Sequence, residues 1–136
     1  RPLRLSDRDR VYVCDRKADR IQVFDRMGIF VRNIDVGFEP LTSPEGRRSG
    51  TRGTASVLAF SADPDQRLMF VVNQNSVVVD VLDRMTGQVL SHLGGGPGRY
   101  PGQFTLQHGI AVDSMGNVYV AEQEGRRVQK FRIVAP

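Results

Sequence analysis

His108, in the stretch QHGIAVD, is one of two histidines in the chain. An imidazole leading an apolar strand can carry protons, hold a metal or pack as a hydrogen-bonded ring. The other histidine, His92, closes the segment QVLSHL and is badly placed to share an ion with His108. A zinc site needs three or four protein ligands. Cys14 is the sole cysteine, so neither a disulfide framework nor a thiol-rich metal site can form within the chain. Its apolar neighbours make it a small buried hydrophobe in a strand. There is no Gly-x-Ser-x-Gly elbow, and two histidines with one strand cysteine assemble no nucleophilic triad. Asp63 and Asp65, in SADPDQR, flank Pro64 and read as turn caps that could also touch calcium. The glycine-rich GGGPGRYPGQF, Gly94 to Phe104, has neither a Gly-Lys-Ser/Thr ending nor a Gly-x-Gly-x-x-Gly spacing, so it is no phosphate cradle. Its glycines let the chain turn, with Tyr100 and Phe104 expected to pack beneath.

The net charge of +4 comes from arginine, with Lys17 and Lys130 the only lysines. Acidic residues lie between most of the arginines, a pattern of solvated ion pairs and not of a nucleic-acid stripe. At 136 residues, 40% of them apolar, the chain has the size and composition of one soluble domain with a core. No apolar run approaches the roughly 20 residues that span a bilayer. The sequence begins at Arg1, with no initiator Met and no basic-then-apolar stretch, so any targeting segment is expected to lie outside it and localisation is not read directly.

Internal repetition decides the fold. VYVCDRKADRIQVFDRMGIF begins at Val11, and VYVAEQEGRRVQKF begins at Val118. One offset of 107 pairs Val11, Tyr12, Val13, Arg20, Gln22 and Phe24 with Val118, Tyr119, Val120, Arg127, Gln129 and Phe131. An offset of 58 sets Phe70 on Tyr12, Val71 on Val13, Leu82 on Phe24 and Asp83-Arg84-Met85 on Asp25-Arg26-Met27. Each copy holds two β-rich runs around a short polar stretch, the mark of a hairpin. Apolar segments precede the hairpins at Pro2 to Ser6, Ser56 to Ser61 and His108 to Asp113, and IFVRNI and QVLSHL follow two of them. The expectation is all-β: a propeller of four-stranded antiparallel blades, about two and three-quarter of them. Blade one is 1–38, a loop runs 39–53, blade two is 54–93, a second loop runs 94–104, and blade three is 105–136 without its outer strand. Closed propellers have four or more blades. Two chains pairing into one ring, or a segment of a longer propeller, would satisfy that, and the absent strand favours the latter.

The repeat resembles the NHL-repeat family of six-bladed propellers, best in GQFTLQHGIAVDSMGNVYVAEQEGRRVQKF, Gly102 to Phe131, and again from DRDRVYVCDRKADRIQVFDRMGIF. Gly116-Asn117 sits at a tight hairpin and tolerates positive φ. Asp15 with Arg20, and Glu122 with Arg127, face each other across the next hairpin as structural ion pairs, while blade two has Asn73 and Val78 there and does without. The resemblance implies a non-catalytic module that binds a protein, peptide or small molecule, or that self-associates, in a bacterial extracytoplasmic setting. Long loops on such a scaffold nominate Arg47, Arg48, Arg52, Arg99 and Tyr100 for binding. Peptidyl-hydroxyglycine amidating lyases carry zinc-binding histidines in a context similar to QHGIAVD, which makes His108 the candidate ligand of a metal-dependent lyase or hydrolase. Gluconolactonase-like propellers hold metal on channel carboxylates, and no counterpart is evident here. NHL propellers that bind RNA imply a further alternative through Arg47, Arg48, Arg52 and Arg99.

Overall fold

The computed structural model describes residues 3–5, 10–37 and 53–134, with side chains for the last two ranges. Arg47, Arg48 and Arg52 lie outside the described residues. Three antiparallel meanders follow one another along the chain. The first comprises β1 (Leu3–Leu5), β2 (Arg10–Asp15), β3 (Arg20–Asp25) and β4 (Phe30–Asp35), with a 3-10 turn at Arg16–Ala18. The second comprises β5 (Leu58–Phe60), β6 (Leu68–Asn73), β7 (Val78–Asp83) and β8 (Val89–Leu93). The third holds β9 (Gln107–Val112), β10 (Val118–Glu122) and β11 (Arg127–Phe131). The chain is all-β and propeller-like, with two four-stranded blades and one of three strands. β5 is shorter than the apolar run around it because Ser56 and Val57 approach β6 irregularly, through Ser56 N–H to Val72 O and Val72 N–H to Val57 O.

The repeat keeps one register. Tyr12 pairs with Val23, Phe70 with Val81 and Tyr119 with Lys130 at the same step of the central ladder. Successive side chains leave a strand on opposite faces, so a blade has a front and a back. On the front of blade one, Tyr12, Cys14, Ile21, Val23 and Ile34 are buried against Leu58, Met69, Val71 and Leu82 of blade two. The front of blade two, Phe70, Val72, Val79 and Val81, meets Ile110, Val118 and Val120 on the back of blade three, with Phe104 closing the cluster. The core therefore lies between sheets. Full burial of one such Val, Leu or Phe contributes roughly 1.5–3 kcal/mol.

Three turns share one chemistry. Asp25, Asp83 and Asp113 each turn a carboxylate oxygen back onto the main-chain N–H groups of the following residues: Met27 and Ile29, Met85 and Thr86, Met115 and Asn117. A glycine at positive φ completes each turn, Gly28 at 84°, Gly87 at 76° and Gly116 at 87°. Asn117, expected to share the positive φ, instead donates from Nδ2 to Asp113 Oδ2 at 2.9 Å. Tyr119 O–H reaches the same oxygen at 3.0 Å. The Asn117 side-chain bond, with the main-chain N–H groups and Tyr119, holds the Asp113 carboxyl down at about 2, against 3.8 ordinarily. A carboxyl depressed in the folded state stabilises above its unfolded pKa, and that contribution disappears as pH falls through the folded value. Asp113→Asn is expected to lower Tm at neutral pH and to flatten part of the fall in Tm between pH 4 and pH 2. Equal acid slopes for the two proteins in a thermal melt series would refute this account of the turn.

Candidate functional site

In a meander, the first and third turns lie at one end of the sheet and the second turn at the other. Asp15, Asn73 and Glu122 close the second strand of their blades, so all three sit at the end away from the Asp25, Asp83 and Asp113 turns. There a cavity of about 410 Å³ opens, lined by Cys14, Asp15, Arg16, Lys17, Ser56, Val57 and His108. Every blade contributes to it. β2 ends in Cys14 and Asp15, the 3-10 turn brings Arg16 and Lys17, the entry to β5 brings Ser56 and Val57, and β9 brings His108. His108 and Lys17 are exposed, whereas Cys14 is buried in the blade-one core.

The rim is fixed by the expected Asp15–Arg20 pair and by further hydrogen bonds that the repeat pattern does not disclose. Arg20 Nε donates to Asp15 Oδ2 at 3.1 Å, orienting the carboxylate at the cavity. Arg16 Nη1 reaches Gln74 Oε1 at 3.5 Å, Gln74 Nε2 donates to Gln107 O at 2.9 Å, and Gln107 Nε2 donates to Asn73 O at 3.0 Å. This run ties the start of β9, and with it His108, to the turns of blades one and two. Gln107 is 1% exposed. A glutamine ahead of an apolar strand is the sequence signal that could have drawn attention to it. Gly53 re-enters between the blades at φ 88°, where a Cβ would stand 2.2 Å from Arg16 O. Thr54 then donates from N to Asp19 Oδ1 and from Oγ1 to Val36 O.

Blade two does not do without a polar tie. Asn73 Nδ2 donates to Asp80 Oδ2 at 2.9 Å, and Asp80 Oδ1 meets His92 Nδ1 at 2.7 Å. The acidic group has moved from the end of the second strand to the third, and its side-chain partner from the third strand to the fourth. Asp80 aligns with His92 across β7 and β8, which commits His92 to this tie. In blade three the pair is tightest. Arg127 Nε lies 2.5 Å from Glu122 Oε2, and Gln129 Nε2 donates to the same oxygen at 2.9 Å. Burial pushes the Glu122 carboxyl up, but bonds from Arg127, Thr105 N–H and Gln129 outweigh it and hold the group below its ordinary value.

Arg127 also fastens the glycine-rich loop, donating to Arg99 O and Gln103 O at 2.7 Å each. That loop presents Arg99 as an exposed residue. Phe104 packs beneath it, 0% exposed, against Gly94, where a Cβ would come within 2.2 Å of its ring. Tyr100 does not pack there. It is 78% exposed, while its main-chain N–H donates to Gln103 Oε1 at 3.2 Å. Asp63 takes Ser61 O–H on one oxygen and Arg67 N–H on the other, so both serve the turn. Those bonds, the Ser61 hydroxyl first, lower its pKa. Among the described residues no three His, Cys, Asp or Glu side chains are grouped to hold a metal ion. His108 and its described neighbours thus do not make a zinc site by themselves.

Arg127→Ala would leave Glu122 buried without its cation, a change expected to cost about 3 kcal/mol. Arg20→Ala, in a pair whose arginine is 35% exposed and whose carboxylate keeps 11% exposure where that of Glu122 keeps none, is expected to cost less, about 1 kcal/mol. Urea unfolding of the two variants orders them, and an equal loss would contradict the difference in burial.

Residues 108–131 match the family model described as NHL repeat. No curated protein matches the chain. Among solved structures, a streptogramin B lyase superposes with a TM-score of 0.62 at 16% identity, over 95% of this chain and 36% of that one. A selenomethionine-substituted virginiamycin B lyase from Staphylococcus aureus gives 0.55 at 13% identity, over 97% and 40%. A catalytically inactive virginiamycin B lyase from Staphylococcus aureus with quinupristin gives 0.58 at 12% identity, over 99% and 41%. The chain spans about two-fifths of the length of these neighbours. At such identities the likeness is one of fold: the three blades are those of a β-propeller, and the third holds the matched NHL repeat at residues 108–131.

Proposed function

We propose that this chain is a non-catalytic binding module of an NHL-type propeller, and that its ligand meets the cavity between Arg16, Lys17, Ser56 and His108. The observation that carries this reading is the cavity itself, to which three blades contribute side chains of mixed character. Val57 and the Cys14 side offer apolar surface, while an imidazole, a guanidinium, an ammonium and a hydroxyl offer oriented polar contacts. Propeller scaffolds host many unrelated chemistries, so the function follows from these side chains and not from the fold. The partner is a protein, peptide or small molecule. No described helix is long and apolar enough to cross a membrane.

The back of blade one supports self-association. Val11, Val13 and Phe24 are half-buried there, at the positions where Met69, Val71 and Leu82 of blade two are buried against a preceding blade. A further blade, from a longer chain or a second copy, would bury them. Sedimentation equilibrium distinguishes these sources.

A second reading is favoured by His108 lying in the same cavity as Asp15, together with the lyases among the structural neighbours. In that reading His108 acts on a bound substrate as a base, or joins metal ligands supplied by blades beyond this chain. The RNA alternative rests on Arg99 and on Arg47, Arg48 and Arg52, which the described residues leave out. Quinupristin, a ligand of one structural neighbour, is the probe that separates the first two readings. The binding module is expected to shift the His108 imidazole resonances and the Ser56 and Val57 amides while quinupristin is recovered intact by chromatography. Consumption of quinupristin that His108→Ala abolishes would transfer the site to the lyase reading. Shifts confined to residues remote from the cavity would overturn both.

A further inference from the structure

The front of blade three is open. At the offset of 107 from Tyr12, Cys14, Ile21 and Val23, which are buried against blade two, stand Tyr119, Ala121, Val128 and Lys130. Tyr119 is half-buried, Ala121 and Lys130 are exposed, and Val128 is 63% exposed where Ile21 is 0%. The back of blade one is open in the complementary sense. Val13, Gln22 and Phe24 are half-buried at positions where Val71, Asp80 and Leu82 of blade two are buried. Within the molecule the front of one blade meets the back of the next twice, both times in the same direction. A stack built by such contacts ends in one unpaired front and one unpaired back.

The residues at the seams indicate which faces match. Where blade one meets blade two, the Tyr12 hydroxyl oxygen accepts from Arg84 Nη1 at 3.3 Å. The repeat offsets place Arg26 of blade one and Ile133 of blade three at the position of Arg84. Blade two presents Phe70 in place of Tyr12, with no hydroxyl to offer, and the next blade holds the aliphatic Ile133 at the answering position. Tyrosine thus goes with arginine, and phenylalanine with isoleucine. The open front carries a tyrosine, Tyr119, and the open back an arginine, Arg26. Tyr119 donates its proton to Asp113, which leaves the phenol oxygen able to accept. A second cation repeats the logic. Arg32, opposite Val23 in the β3–β4 ladder, gives Nη1 to Met85 O and Nη2 to Arg84 O across the seam, each at 2.7 Å. Blade three has no described fourth strand to carry such an arginine, but Lys130 stands at the position of Val23, its ammonium 5.8 Å from the centre of the Tyr119 ring.

We propose that two copies of this chain associate head to tail, the front of blade three of each seated on the back of blade one of the other, in a closed ring. The proposal rests on the self-association reading of the back of blade one and names the surface that meets it. Closed propellers hold roughly four to eight blades, so three-bladed units close as a pair and not as a trio. Val128, Ala121 and the Tyr119 ring then cover Val13 and Phe24 of the other copy. Arg26 of that copy donates to Tyr119, and Lys130 reaches the carbonyls of the turn that Arg26 begins. The contact is heterologous, with a different surface on each side, so damage to either face removes it.

The test is sedimentation equilibrium of the chain over a concentration series, with two variants, Val128→Glu on the exposed front of blade three and Val13→Glu on the back of blade one. A dimer is expected for the unaltered chain, and each variant alone is expected to weaken dimerisation by about a hundredfold or more, because each damages both contacts of the ring. Mixed in equal amounts, the two variants retain one undamaged front and one undamaged back, so a mixed pair forms and the mean mass rises above that of either variant alone. Thermal melts check that each variant folds, and Gln22→Arg, on the same back face, replaces Val13→Glu should that chain melt early. A monomer at every concentration, or a mass that grows past the dimer, would overturn the closed pair. Loss of the dimer with Val13→Glu but not with Val128→Glu would also overturn it, while leaving self-association through the back of blade one intact. A mixture no heavier than its separate variants would mean that like faces meet, and the head-to-tail contact would fall.

Discussion

Tyr12, Cys14, Ile21 and Val23 leave blade one on one side and are buried against Met69, Val71 and Leu82 of blade two, and the rest of the molecule depends on this contact. A twisted four-stranded sheet with apolar residues on both faces cannot cover itself. Each sheet must find a neighbour in front and another behind, which forces the meander to recur and fixes where its variable residues can go. Residues that face a neighbouring blade are held apolar, as in Phe70, Val72, Val79 and Val81. Polar chemistry is thereby expelled to the two ends of the sheets, and the cavity that Asp15 and His108 line lies at one of them.

The ends solve different problems. At one end the aspartates of the Asp-x-Met turns spend their oxygens on main-chain N–H groups, and the turn tips carry Met27, Met85 and Met115 outward. At the other, the turn between second and third strands places Asp19, Val77 and Arg126 at φ of 54°, 55° and 51°. For a β-branched residue that backbone is unfavourable by roughly 1–3 kcal/mol, and it persists only where the surroundings dictate it. Val77 is 8% exposed and belongs to the core between blades two and three, so burial offsets the strain.

Much of this was legible in the sequence because the repeat writes a physical requirement three times. A constant offset gave the strand order, and the spacing of Tyr12, Phe70 and Tyr119 gave the register. The hairpin ion pairs were readable for the same reason, since Asp15 with Arg20 and Glu122 with Arg127 recur in phase. The Asn73, Asp80 and His92 tie was not readable, because blade two moves the charge one strand outward and leaves the repeat position occupied by Val78. Tyr100 misled because an aromatic ring among glycines suggests packing, whereas Phe104 alone fills the space beneath the loop and Tyr100 stays outside. Gln107 stood out only as a glutamine heading an apolar strand, and its role was not readable because it lies in a contact between blades.

The residues that differ between copies are therefore the informative ones. At the position where blade three has His108, the first blade begins with Arg1 and the second offers no histidine, so nothing in the repeat demands an imidazole there. The scaffold nevertheless fixes the backbone beneath it through Gln107 and Gln74. Arg32 likewise bridges to the carbonyls of blade two without being required by the pleat. A side chain that the packing does not need, held on a backbone that the packing fixes, is the arrangement from which binding arises in a repeat protein.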